Sequence, residues 1–297
     1  MYIAIIGDIH KAWDDFDVAY FNQSSCDALL FMGDLPGRSH RGTDAVAAEL
    51  ARVTKPAYFM PGNHDGVTIG QFMGELRQNE KWIQKYARRQ APLCDSLQTA
   101  LGDIVYTGYS RHDLEVSDER IHLVAARPHS MGGATLAFAP YLKERYGVAS
   151  LEDSADRIEA LFDECDGPIV VFSHNGPAGL GAERDAIWGC DFTREGGDFG
   201  DSDLAEALRR ARSKNKQIVA VIAGHMHHRL KGGGERRWFL RDEHGTAYIN
   251  AARVPRILRL NGERRHHHVA LRIENGTAAV TEILAGESGF DLRNPAE

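Results

Sequence analysis

The chain has 297 residues, 43% of them hydrophobic, and a formal charge of −7 at pH 7. Such a composition fits a globular fold, and the net acidity excludes a surface built as a whole for nucleic acid or anionic membrane. No apolar stretch approaches a membrane span, and the first strand starts at Tyr2 with no leader pattern before it. Cys26, Cys94, Cys165 and Cys190 form no C-x-x-C pair, which excludes a zinc knuckle or a thioredoxin-like motif. A cytoplasmic protein with reduced thiols and no membrane partner is expected.

In chain order, five short apolar runs have the Val/Ile/Phe content of buried strands: 2–7, 28–33, 57–62, 169–173 and 218–224. A helix is expected from Val46 to Val53. Ile69, Phe72, Met73, Leu76, Ile83 and Tyr86 share one helical face after the third run. Segment 127–149, with Gly132-Gly133, reads as a long connection or an insertion overhanging a site. Ser150 to Asp153 resembles a capping box, followed by a stripe of Leu151, Ala155, Ile158 and Phe162. Asp201 and Asp203 open a helix that Arg209, Arg210 and Arg212 close, in the order the helix dipole favours.

The C-terminal part changes character. Asn261-Gly262 and Asn275-Gly276 are tight-turn signals, and Val269, Leu271 and Ile273 alternate with polar or small residues. An antiparallel meander is expected over 246–284. Together with the α/β part it predicts one domain, 1–297. Its fold class is α/β: a four-layer α/β/β/α sandwich with two mixed sheets face to face and helices outside.

Each apolar run ends in potential metal ligands: Asp8 and His10, Asp34, Asn63-His64-Asp65, His174, and His225 with His227. In open α/β sheets, sites lie beyond the carboxyl ends of the strands. Five clusters placed there should converge on one point. Carboxylate, imidazole and one amide make a mixed oxygen and nitrogen set, suited to Mn²⁺, Fe or Zn²⁺ rather than Ca²⁺. Asp34, in a central run, is the best carboxylate to bridge two ions. Glycines 7, 33, 62 and 224 precede the clusters and allow close backbone approach.

Asp8-x-His10, Gly33-Asp34, Gly62-Asn63-His64-Asp65, His174 and Gly224-His225-x-His227, in this order, resemble the calcineurin-like metallophosphoesterase superfamily over residues 1 to about 227. The resemblance implies two divalent ions. Asp8, His10, Asp34 and His227 would hold one; Asp34, Asn63, His174 and His225 would hold the other. It also implies His64 as the catalytic histidine, with Asp65 orienting its ring, and a bridging hydroxide as nucleophile. Arg38 lies at the offset where the protein phosphatases of the superfamily carry a phosphate-binding arginine. Here, however, Leu35-Pro36-Gly37 replaces the rest of their motif, and Asp65 stands where they have glutamate.

The implied activity is hydrolysis of a small phosphodiester, nucleotide or phosphoanhydride, so the expected partner is a small phosphorylated substrate. The competing classes are a nuclease, a protein phosphatase and a non-catalytic metal-binding scaffold. Acidity and the lack of an appended nucleic-acid-binding segment count against the nuclease. The altered motifs count against the protein phosphatase, and retention of every expected ligand counts against the scaffold. His112, His122, His129, His228 and His244 are read as surface or loop residues, and His266 to His268 as an exposed strand face. Arg253, Arg256, Arg259, Arg264 and Arg265 are read as solvated, and Trp13, Trp82, Trp188 and Trp238 as packing residues.

Overall fold

The computed structural model describes residues 1–37 and 40–294. The apolar runs form parallel strands: β1 (Tyr2–Ile6), β2 (Ala28–Phe31) and β3 (Ala57–Phe59). Helix α1 (Asp15–Gln23) connects the first two strands and α2 (Thr43–Leu50) the second pair. Helices α3 (Ile69–Leu76), α4 (Glu80–Ala87) and α5 (Gln90–Ala100) lead to β4 (Val105–Tyr106), which continues the parallel run.

The second sheet starts with a hairpin, β5 (Ser110–Val116) and β6 (Glu119–Ala125). It continues through α6 (Ala139–Tyr146) and α7 (Leu151–Asp163) to β7 (Ile169–Phe172), then through α8 (Ser202–Ser213) to β8 (Ile218–Ala223). Its far edge is β9 (Phe239–Arg241), paired with β10 (Ala247–Asn250), which runs parallel to β8. The chain then returns to the first sheet with β11 (Ile257–Leu260), β12 (Glu263–Glu274), β13 (Thr277–Gly286) and β14 (Gly289–Arg293). The first sheet has the order β14-β13-β12-β1-β2-β3-β4, with β11 on β12.

Strand residues alternate between two apolar environments, which is why the runs are apolar throughout. Ile3, Ile5 and Leu30 meet Leu123, Val170, Phe172 and Ile222 between the sheets. Their neighbours face outward: Ile6, Leu29 and Phe31 pack on Phe21, Leu50 and Leu97. On the second sheet Val171 and Val221 pack on Ile158, Phe162, Leu204 and Leu208. The chain is the expected four-layer sandwich.

Some boundaries differ from expectation. The antiparallel meander starts at Ile257, because Ala247–Asn250 pairs in parallel with β8 in the other sheet. The turns at Asn261-Gly262 and Asn275-Gly276 take positive φ, as their residues favour. The apolar face from Ile69 to Tyr86 belongs to two helices. Gln78 turns left-handed at φ +50°, and Asn79 caps α4 by accepting from the Trp82 amide at 3.2 Å.

The histidines read as exposed are largely interior. His266, His267 and His268 are buried, as are His122, His129 and His228. Carboxylates explain three of them: His122 lies 2.7 Å from Asp113 and 2.8 Å from Asp166, His266 Nδ1 lies 3.1 Å from Asp17, and His267 Nε2 lies 3.0 Å from Glu282. Arg256 is also buried rather than solvated, with both terminal nitrogens donating to Asp17 at 2.7 and 2.9 Å. Trp13 and Trp188 pack inside, whereas Trp82 stays exposed on α4. Among the described residues, no helix is long and apolar enough to cross a membrane.

Candidate metal centre

The ends of β1, β2, β3, β7 and β8 bring the predicted ligands together. Ligand atoms of Asp8, His10 and His227 lie within 4.8 Å of one another, and so do those of Asp34, His174 and His225. His10 Nε2 and His174 Nε2 stand 3.9 and 3.6 Å from Asp34 Oδ2, so this one carboxylate borders both groups. Asn63 Oδ1 completes the second group, 2.8 Å from His174 Nε2 and 2.9 Å from His225 Nδ1.

Backbone carbonyls select the imidazole tautomers. His10 Nδ1 donates to Pro36 O at 3.0 Å, His174 Nδ1 to Met32 O at 3.1 Å, and His225 Nε2 to Met131 O at 3.2 Å. A neutral imidazole has one N–H, so the inward nitrogen of each ring carries only a lone pair. These lone pairs face the oxygens of Asp34 and Asn63, and Asp8 Oδ2 is buried with His227 Nε2 3.3 Å away. Electron pairs facing one another in a buried cleft call for cations between them. The residues present therefore fit two divalent ions, with outer carbonyls holding the rings as is usual around metals.

The electrostatics agree. Burial alone would raise the Asp34 carboxyl; positive charge on the surrounding His174, His64, His10 and His225 outweighs burial and holds it below the usual range, and where those rings are neutral that positive charge would have to come from bound cations. For His227, burial is likewise outweighed, here by the Asp8 carboxylate, and its pKa is raised. His10, Asp34 and His225 have positive φ of 42°, 52° and 66°, a strained conformation for non-glycine residues that turns them into the cleft. A Cβ on Gly62 or Gly224 would collide with Asp34 Oδ1 or Asp8 Oδ1.

Asp65 does not orient the His64 ring. Its carboxylate is fully buried and accepts from the amides of Asp34, Leu35 and Gly62 at 2.7, 2.9 and 2.7 Å. It ties the second and third loops together, and those amides occupy three of its about four acceptor sites. His64 instead meets His40, with Nδ1 2.8 Å from His40 Nε2. His40 Nδ1 donates to Val67 O at 3.1 Å, so its Nε2 accepts and His64 Nδ1 is the donor. The other nitrogen of His64, Nε2, is left for the cleft. Burial lowers the pKa of both rings. Arg38 lies outside the described residues.

The sequence carried no readable signal for His40, six residues beyond Asp34 and away from any strand end. Segment 127–149 was equally opaque; its residues Met131, Gly132, Thr135, Leu136 and Ala137 line the cavity beside the centre. Arg127, fully buried, pairs with Asp201 at 2.7 Å and Asp203 at 3.0 Å. Ser130 Oγ donates to Asp201 at 2.7 Å, and His129 Nδ1 donates to Gly62 O at 2.9 Å. Asp201 and Asp203, read as helix openers, thus also anchor the segment that delivers Met131 O to His225.

The sequence model of the calcineurin-like phosphoesterases matches residues 1–229. The chain belongs to this family. No curated protein sequence matches it significantly. Among solved structures it resembles TT1561 of Thermus thermophilus, at 11% identity over 94% of this chain and 97% of that one, with a TM-score of 0.51. Other similar structures are a metallophosphoesterase from Sphaerobacter thermophilus (15% identity, 100% and 90% coverage, TM-score 0.33) and Entamoeba histolytica Vps29 complexed with zinc (10%, 99% and 97%, 0.38). At such identities the likeness concerns the fold, and it rests on TT1561. Membership of the calcineurin-like phosphoesterases places the chain, at superfamily level, among metal-dependent phosphoester hydrolases that bind divalent ions.

In this calcineurin-like chain the centre opens onto a cavity of about 530 Å³, with Asp34, Asn63, His64, His225 and His227 at one end. Phe72, Leu76 and Ile83 line one side, and Leu136, Phe192 and Phe199 another.

Proposed function

We propose that this chain hydrolyses a small phosphodiester, nucleotide or phosphoanhydride at a centre of two divalent ions, of Mn²⁺, Fe or Zn²⁺. Asp8, His10, Asp34 and His227 would hold one ion, and Asp34, Asn63, His174 and His225 the other. The observation that carries this reading is the set of inward lone pairs on His10, His174 and His225, facing carboxylate and amide oxygens. Such ions supply Lewis acidity, which activates water near neutral pH and neutralises phosphoryl charge.

The chain's own groups do the rest. Asp34 screens the repulsion between two cations. His64, held through Nδ1 by His40, presents Nε2 to the cleft; in its imidazolium form, with both nitrogens protonated, it would give the Nε2 proton to the departing alkoxide and be left as the neutral Nδ1–H tautomer. A half-open cavity of about 530 Å³ has the size of a small-molecule site. Arg38 would fork onto a doubly charged terminal phosphate better than onto a diester. A centre for diesters therefore depends on Arg38 only modestly.

The test is metal content together with turnover of bis-para-nitrophenyl phosphate and of para-nitrophenyl phosphate by Mn²⁺-loaded protein. Two ions per chain and a higher kcat/KM for the diester are expected. Rapid monoester hydrolysis that collapses in Arg38→Ala, with little diester turnover, would reverse the substrate preference. Full metal loading without hydrolysis of either ester would leave a scaffold.

A further inference from the structure

The helix pair α3–α4 is apolar on one side, yet contributes little to the core. Helix α4 buries no residue, and α3 buries only Gln71 and Gly74. An amphipathic helix normally spends its apolar stripe on the interior. Here Phe72, Leu76 and Ile83 face the cavity beside the metal centre, and Leu76 is 55% exposed. Across the cavity Phe192, 41% exposed, stands edge-on to Phe199 at 4.8 Å between ring centres. Apolar surface left open on two sides of one concave space marks a binding site.

Three phenylalanines, Phe72, Phe192 and Phe199, stand in the walls among aliphatic and polar residues. Phe72 stacks on His64 at 4.7 Å, so a group lying against Phe72 is next to the proposed proton donor. The Lys231 ammonium lies 5.5 Å over the Phe192 ring at the rim. Glu75 adds a polar contact: one carboxyl oxygen is buried without a hydrogen-bond partner, and burial lifts the group to about 7. A carboxyl of this kind can donate to or accept from a heteroatom on a flat ring.

We propose that this cavity holds the organic group of the substrate, and that the group carries an aromatic ring, supplied by an aryl-bearing ester or a nucleotide. Placing the phosphoryl group at the cavity's donor end rests on the phosphoesterase reading above. A polar glycerol-like ester would leave the Phe72, Leu76 and Phe192 surfaces uncovered. An aliphatic ring would cover them but forgo the edge and face contacts that aromatic pairs add to area burial.

The experiment uses methyl phosphodiesters of methanol, cyclohexylmethanol, benzyl alcohol and the thymidine 5′-hydroxyl, alcohols of similar acidity, with the Mn²⁺-loaded protein. Release of methyl phosphate is followed by phosphorus NMR. The benzyl and thymidine esters should exceed the dimethyl ester in kcat/KM by about tenfold or more, the scale expected for burying one ring. The cyclohexylmethyl ester should fall between them. Whichever ring ester ranks first identifies the source of the ring.

Leu76→Asn and Phe192→Ser change exposed side chains on opposite walls, and each should bring the benzyl to dimethyl ratio toward one. Calorimetry with benzyl phosphate and methyl phosphate reads the same preference as binding. No ring preference, an equal preference for cyclohexylmethyl, or a preference untouched by both variants would overturn the proposal. Ring-dependent binding without hydrolysis would overturn the phosphoesterase reading and keep the pocket. Hydrolysis without ring preference would do the opposite.

Discussion

The roles proposed for Asp34 and His64 are separable by experiment. Asp34 borders both ligand groups, so Asn at this position removes the charge that two cations share. Metal analysis of Asp34→Asn should find fewer than two ions per chain and almost no hydrolysis. His64 is not among the clustered ligand atoms, so His64→Ala should keep both ions while losing roughly 10²–10⁴ in rate. That loss should shrink for leaving groups that depart without a proton. His40 acts through His64 by accepting its Nδ1–H. His40→Ala should lower the rate less than His64→Ala, and His40→Asp, which still offers an acceptor, should recover most of it. Equal rates in His40→Ala and wild type would remove His40 from the mechanism.

At the scale of elements, the segment before α6 is held beside the centre by Arg127 between Asp201 and Asp203 at the start of α8. Arg127→Met would strand two buried carboxylates. Denaturant unfolding should show a loss on the order of 3–5 kcal/mol, the usual cost of breaking a buried pair from one side. Glu75 on α3 gives a pH effect of known sign. Its folded pKa, about 7, is above its ordinary value of 4.5, so the neutral carboxyl favours the folded state. That contribution is full below about 4.5 and is lost as pH rises through 7. Glu75→Gln should therefore raise the melting temperature at pH 8 relative to wild type, by a few degrees, and leave it nearly unchanged at pH 4. An equal shift at both pH values would contradict the assignment.

For the whole molecule, the candidate ligands come from both sheets. Asp8, His10, Asp34 and Asn63 follow strands of the first sheet, and His174, His225 and His227 follow strands of the second. Ions bound there should staple the sandwich together. Chelation should lower the melting temperature by roughly 5 °C or more if the ions are held at 100-fold above their dissociation constant. An unchanged melting curve after chelation would argue against tight metal binding. The sandwich and the convergence of the candidate ligands were legible because both depend on local order: apolar strand, glycine, polar cluster, with variations from run to run. The turns at Asn261-Gly262 and Asn275-Gly276 were legible because their residues favour positive φ. His40, the Arg127 network, the buried run from His266 to His268 and the cavity wall on α3–α4 were not. Their meaning comes from partners distant in sequence: Asp17 for His266, Glu282 for His267, Asp201 and Asp203 for Arg127. Hydrophobic periodicity and ligand spacing are properties of a segment. Which polar group is buried, which nitrogen carries the proton and which apolar stripe stays uncovered depend on what the folded chain places opposite, and only the tertiary structure decides that.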